Sequence, residues 1–256
     1  MAEQKLQGKV VLIGGGAKNL GGLTSRQFAA MGAKVAVHYN SDATGAAAEE
    51  TVAAVRALGT DAFAIQADLT KPSETARVFD ATIERFGGID VAVNTTGMVI
   101  KKPILQCTEE DYDTIFAVNS KAAFFFIQEA GKKLNDRGKI ITVVSSLLAA
   151  YTDSYAIYPG SKAPIEHYTR AASREFGGRG ISVNALGPGP METPFFYGQE
   201  TAESAHYNQT AAALSSYTKT GLTDIADIAP ILTFLATDGW WITGQTIFAN
   251  GGYTTR

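Results

Sequence analysis

Three things are scarce in this sequence: paired cysteines, long apolar runs and an excess of basic charge. One cysteine, Cys107, stands among 256 residues, so an internal disulfide is excluded, and with it the small disulfide-stapled folds. Apolar runs such as those at 9–13 and 139–144 fall far short of the roughly 20 residues that cross a bilayer. Lys and Arg number 22 against 25 Asp and Glu, a net charge of -3. That balance gives no basic field for nucleic acid or an anionic membrane surface, which leaves a small molecule as the expected partner. Linkers are missing too. No Pro, Gly or Ser-rich stretch, charge block or internal repeat divides the chain, so a single domain over 1–256 is expected. The opening MAEQKLQGK carries no apolar signal region, and with the lone cysteine it suggests a cytoplasmic setting.

What is present is a regular alternation. Hydrophobic residues make up 45% of the chain, enough for a sizeable core. Short β-branched runs occur at 10–13 (VVLI), 34–39 (KVAVHY), 62–66 (AFAIQ), 89–94 (IDVAVN), 139–145 (KIITVVS), 181–186 (ISVNAL) and 245–250 (QTIFAN). Between most of them lie stretches with helical spacing of apolar residues, at 23–31, 46–58, 73–86, 109–134 and 163–176. Nearly continuous apolar strands alternating with amphipathic helices predict an α/β fold: a Rossmann-like, doubly wound parallel sheet of about seven strands with helices on both faces. Ligands of such sheets sit beyond the carboxyl ends of the strands, so chemistry is sought just after each strand.

The first strand runs into Gly14-Gly15-Gly16-Ala17-Lys18-Asn19-Leu20-Gly21-Gly22. Glycines let the backbone approach a pyrophosphate, and the next helix offers unpaired N–H groups and a partial positive charge. A tight turn without a ligand also fits the pattern taken alone. Here the residues begin to resemble the short-chain dehydrogenase/reductase family, whose turn reads TGxxxGxG. Its glycines fall on Gly15, Asn19 and Gly21, with Gly14 at the threonine position. Asparagine is the non-glycine residue that best tolerates left-handed backbone angles, so Asn19 fits. Gly14 cannot supply the threonine hydroxyl, so that bond is lost or replaced.

The resemblance continues in order along the chain. Tyr158-Pro159-Gly160-Ser161-Lys162 is similar to the family's YxxxK, and residues four apart share a helix face. Tyrosine titrates near 10, and the Lys162 ammonium is expected to lower Tyr158 into a usable acid/base range. Tyr151 and Tyr155 are followed four residues on by Tyr155 and Pro159, so neither rivals Tyr158, and both are read as pocket or loop residues. Ser145, thirteen residues before Tyr158, has the family's spacing and is expected to hold the substrate oxygen. Asn119 matches the asparagine whose backbone anchors a water linking the lysine to solvent. Cofactor contacts implied by the resemblance are Gly15, Lys18, Asn19, Leu20 and Gly21 in the turn, and Tyr39, Asn40 and Ser41 after the second strand. Asp68 and Leu69 follow the third strand, Asn94 and Gly97 the fourth, and Pro188, Gly189 and Thr193 the sixth, with Tyr158 and Lys162 on the ribose side. No metal is implied.

An acidic residue ending the second strand repels a 2′-phosphate in dinucleotide folds. Here Asn40 and Ser41 stand there, Asp42 is assigned to the turn beyond, and Lys18 offers counter-charge, so NADP(H) is expected over NAD(H), which stays possible. The stretch 191–218 occupies the family's variable substrate loop, and Phe195, Phe196, Tyr197, Tyr207 and Tyr217 suggest a partly aromatic lid. Reduction of a ketone or 3-oxo ester is the reading. A 3-oxoacyl thioester, with Arg137 and Arg179 as carrier-docking candidates, and a non-catalytic NADP(H)-binding regulator are the alternatives. The family also implies a homotetramer.

Overall fold

The computed structural model describes residues 5–150 and 152–255. Its centre is a seven-stranded, wholly parallel sheet: β1 (Val10–Gly14), β2 (Lys34–Tyr39), β3 (Ala62–Gln66), β4 (Val91–Asn94), β5 (Lys139–Val143), β6 (Ser182–Pro188) and β7 (Thr246–Ala249). The spatial order is β3-β2-β1-β4-β5-β6-β7. The winding direction reverses between β1 and β4, which opens a crevice at their carboxyl ends.

Alternate residues of each strand serve opposite faces. Val11, Ile13, Val35, Val37, Val91 and Val93 pack with α1 (Asn19–Ala30), α2 (Gly45–Ala57) and the later helix α9 (Ile225–Ala236), through Phe28, Val52, Val55, Leu232 and Leu235. Their neighbours Val10, Leu12, Ala36, Ala92 and Ile140 pack on the other side with Val78, Phe79, Phe126 and Ala172. Those residues come from α3 (Pro72–Phe86), α5 (Ala122–Lys133) and α6 (Ile157–Glu175). Burial on both faces is why these strands read as continuous apolar runs.

The fold class stands as expected, but three boundaries shift for physical reasons. The single helix expected over 109–134 is two, α4 (Glu109–Phe116) and α5, joined by a π turn at Ala117–Lys121 in which Ala122 N–H reaches back to the Ala117 carbonyl. The helix expected from 163 starts at Ile157: Pro159 lies in its first turn, where a missing N–H has no partner to lose. The stretch after β6 holds two short helices, α7 (Pro194–Tyr197) and α8 (Ala202–Ala211), neither with a buried residue. No helix among the described residues is long and apolar enough to cross a membrane.

Candidate active site

At the carboxyl ends of the strands lies a cleft of about 580 Å³ that joins a smaller cavity of about 90 Å³. Tyr158, Val144, Met191, Thr193 and Phe195 line both.

The glycine turn forms one end of the larger cleft. Gly15 has φ +73°, and Asn19 takes the left-handed region at φ 51°, as its residue type allows. A Cβ on Gly21 would lie 2.1 Å from the Gly15 carbonyl oxygen, so only glycine closes the turn. The hydroxyl absent from Gly14 is supplied across the crevice: Thr95 Oγ1 donates to the carbonyls of Gly14 at 2.8 Å and Gly15 at 3.2 Å. Lys18 caps α1 without burying itself and lines the cleft beside Asn19, Leu20 and Gly21.

His38 braces the turn from β2, a role the sequence did not disclose. Its Nδ1 accepts the Gly15 N–H at 3.0 Å and its Nε2 meets the Ala67 carbonyl at 2.9 Å. Nδ1 as acceptor puts the proton on Nε2, and burial holds the imidazole neutral with a pKa down to about 4, against the pull of the Ala67 carbonyl. Tyr39, Asn40, Asp68 and Leu69 line the cleft, joined by Thr44 and Thr70. Ser41 does not line it. Its extended backbone leads into a 3-10 turn, where its carbonyl accepts from Thr44 N and Oγ1, and Thr44 faces the cleft instead. Asp42 sits in that turn and accepts from Gln66 Nε2 at 3.0 Å.

Asn94 does not line the cleft either. It is buried, and its Oδ1 accepts from Thr96 N at 3.0 Å and Thr96 Oγ1 at 2.6 Å. The side chain shapes the loop after β4, and the wall itself is made by Thr95, Thr96 and Gly97. Gly97 leaves room for the lysine: a Cβ there would meet Lys162 Nζ at 2.8 Å.

Tyr158 and Lys162 both lie on α6, buried, on the cleft wall. Lys162 Nζ donates to the carbonyls of Thr96 at 3.0 Å and Val143 at 3.3 Å, and burial lowers its pKa to about 8. The expected lowering of the Tyr158 phenol is reversed. Burial raises it above the usual value, a hydrogen bond with Ser145 opposes the rise, and the Lys162 ammonium is directed at backbone carbonyls. Ser145 stands at the end of β5, where its Oγ also accepts the Leu147 N–H at 3.2 Å, and it lines the smaller cavity with Pro188 and Gly189. Thr193 caps α7 and borders both spaces.

Asn119 lines neither space. Within the π turn, its Oδ1 accepts Met98 N–H at 2.9 Å, and its Nδ2 donates to Met98 O and Ser161 Oγ, both at 2.9 Å. Ser161 Oγ in turn donates to the Tyr158 carbonyl at 2.7 Å. Asn119 thus ties the Gly97–Met98 loop to α6 through its side chain, where the resemblance pointed to its backbone.

Only Phe195 and Phe196 of the five lid aromatics reach the smaller cavity, whereas Tyr197, Tyr207 and Tyr217 are exposed. Tyr155 lines it as expected; Tyr151 lies outside the described residues. Thr152, Gln199, Glu200 and Asn208 complete a polar side that no motif announced. Arg137 and Arg179 sit at the opposite end of the sheet, beside the start of β5, where Arg179 pairs with Asp136 and caps Gly131 O.

The glycine cradle, the helix N-terminus and the length of the cleft fit a dinucleotide. A family model described as enoyl-(acyl carrier protein) reductase matches residues 15–254. The short chain dehydrogenase mdpC of Emericella nidulans is 33% identical over 261 residues, which span 98% of this chain and 97% of that protein. A protein from Burkholderia cenocepacia, described as a dehydrogenase and solved with bound NADP, is 61% identical with a TM-score of 0.97, covering 100% of this chain and 97% of its own. A blue fluorescent protein from a metagenomic library, in complex with NADPH, is 31% identical with a TM-score of 0.90, covering 98% and 100%. The chain belongs to the short-chain dehydrogenase/reductase family. It is an oxidoreductase acting on CH–OH and C=O groups.

Proposed function

We propose that this protein is an NADP(H)-dependent reductase of ketones or 3-oxo esters, with Tyr158 as proton donor. The observation that carries this is Tyr158 at the junction of the two spaces, with Ser145 lining the smaller one alongside it and Lys162 buried on the wall of the larger. A phenol raised by burial stays protonated at neutral pH, which is the state that reduction requires of an acid. Ser145 orients the substrate oxygen and stabilises charge developing on it. Lys162 holds the ribose edge, and Asn119 positions the loop and helix that carry the pair. The bound cofactor supplies the hydride.

Preference for NADP(H) rests on exposed Lys18 at the rim, on neutral Asn40 at the end of β2 and on Asp42 standing away from the cleft. The relatives solved with NADP and NADPH support it. The chain acts as one cofactor-binding and catalytic domain with 191–218 as its substrate loop, in the cytoplasm and, by family resemblance, as a homotetramer. Thioester reduction on a carrier protein is disfavoured, because Arg137 and Arg179 lie at the far end of the sheet.

Tyr158→Phe is the test. Loss of about 100-fold or more in turnover, with the fold intact by circular dichroism, is expected of a missing general acid. Near-normal turnover refutes the role.

A further inference from the structure

Glu200 carries one of the chain's buried charges: its side chain is 2% exposed. It lies between α7 and α8, and two distant segments converge on it. The Tyr155 hydroxyl, from the residue two before α6, donates to Oε1. Lys101, from the loop after β4, donates to Oε2 at 2.5 Å and to Ser204 Oγ at 3.0 Å, and lies 5.2 Å from the Tyr155 ring centre. Tyr155 in turn meets the Tyr158 ring edge-on at 6.2 Å between centroids.

The lid has little else to hold it. Neither α7 nor α8 buries a residue, and Phe195, Tyr197 and Tyr207 are exposed. A buried, doubly bonded carboxylate is therefore a strong anchor for a segment whose two helices bury no residue, and breaking one partner of such a pair costs far more than breaking a surface ion pair.

The same carboxylate lines the substrate cavity of about 90 Å³ beside Gln199, Asn208 and Thr152, and among the described residues no Lys or Arg lines it. An anionic substrate entering there meets a carboxylate whose counter-ion is already engaged from behind. We propose that Glu200, held by Tyr155 and Lys101, latches the substrate lid and restricts the site to compact, uncharged carbonyl compounds. The selectivity half of this proposal rests on the reductase reading; the latch half does not.

Two measurements test it on the purified full chain. Hydrogen exchange over 194–211 is compared among wild type, Glu200→Ala and Tyr155→Phe. Exchange faster by about tenfold or more in both variants, with the sheet unchanged, is expected of a broken latch. Unchanged lid exchange in both overturns the latch. NADPH-dependent kcat/KM is then compared for ethyl acetoacetate and for the acetoacetate anion. Wild type is expected to favour the ester by at least about tenfold, and Glu200→Gln to shrink that ratio about tenfold by removing the facing charge. A ratio that Glu200→Gln leaves unchanged overturns the selectivity role. Wild type that reduces neither compound counts against the reductase reading and the selectivity role together, while lid exchange still decides the latch.

Discussion

The Gly15 N–H donates to Nδ1 of His38 at 3.0 Å, so a histidine on β2 holds the turn that begins the cofactor cleft. The bond requires a neutral ring, since a proton on Nδ1 would face another N–H. With a folded pKa of about 4 against an ordinary value of 6.5, the unfolded chain binds a proton in this interval that the folded chain refuses. Stability therefore falls as pH drops from about 6.5 towards 4. The histidine's share of that loss is about 2 kcal/mol between about pH 7 and pH 5. Urea unfolding at a series of pH values should show a slope shallower by this amount in His38→Gln. Equal slopes in the two proteins would remove His38 as the source.

Gly14 departs from the family's threonine, and restoring that residue should harm the protein. A Cβ at this position lies 3.2 Å from Asn94 Oδ1 and 3.2 Å from Phe126 Cε2, with no room to yield in a fully buried corner. Gly14→Thr is expected to lose about 1–3 kcal/mol of stability through overpacking. Thr95→Val, which removes the substitute hydroxyl, should cost about 1 kcal/mol and raise the cofactor KM more than it lowers kcat. Denaturant midpoints and cofactor titrations check both, and a Gly14→Thr protein as stable as wild type contradicts the packing argument.

How much of this was legible beforehand follows from what kind of interaction each feature uses. The sheet and the order of Gly15, Ser145, Tyr158 and Lys162 were readable because periodicity and fixed spacing act within one stretch of chain. Thr95 standing in for the Gly14 hydroxyl, and His38 bracing Gly15, join residues 81 and 23 apart in sequence, and no local pattern encodes them. Asn94 has the residue type of a cofactor ligand but satisfies its own loop, which only geometry reveals. The Tyr158 pKa went the other way because a spacing of four places Lys162 on the same face without saying where its ammonium points or how dry the site is. Residues 191–218 carry weak periodicity, so the helices there and the Glu200 latch were out of reach.

Cofactor choice turns on a small number of exposed groups. Lys18→Ala removes the only cation lining the cleft besides Lys162 among the described residues, and Asn40→Asp adds a carboxylate at the end of β2. The double variant should lower the NADPH-to-NADH ratio of kcat/KM by about tenfold to a hundredfold, mostly through KM for NADPH. The effect should weaken in high salt because Lys18 is exposed. A ratio that stays constant would separate Lys18 and Asn40 from phosphate recognition.

The two buried groups of the catalytic helix set opposite pH trends for the two directions of reaction. Lys162 carries its proton below about 8 and loses it above, because burial disfavours the ammonium. Tyr158 is raised above its ordinary range, so its phenol remains protonated throughout that interval. Reductive kcat/KM, which reports the free enzyme, should be flat up to about pH 7 and fall through about 8 as the lysine charge disappears. Alcohol oxidation needs phenolate, and its rate should climb with pH through the region where reduction declines. Lys162→Met should drop reductive kcat/KM about 100-fold and abolish the alkaline limb centred near 8, while unfolding free energy changes by no more than about 1 kcal/mol. Relief of the lysine's desolvation, about 3 kcal/mol from its pKa shift, offsets the two carbonyl bonds to Thr96 and Val143, each worth about 1.5 kcal/mol. Persistence of that limb in Lys162→Met would assign it to another group.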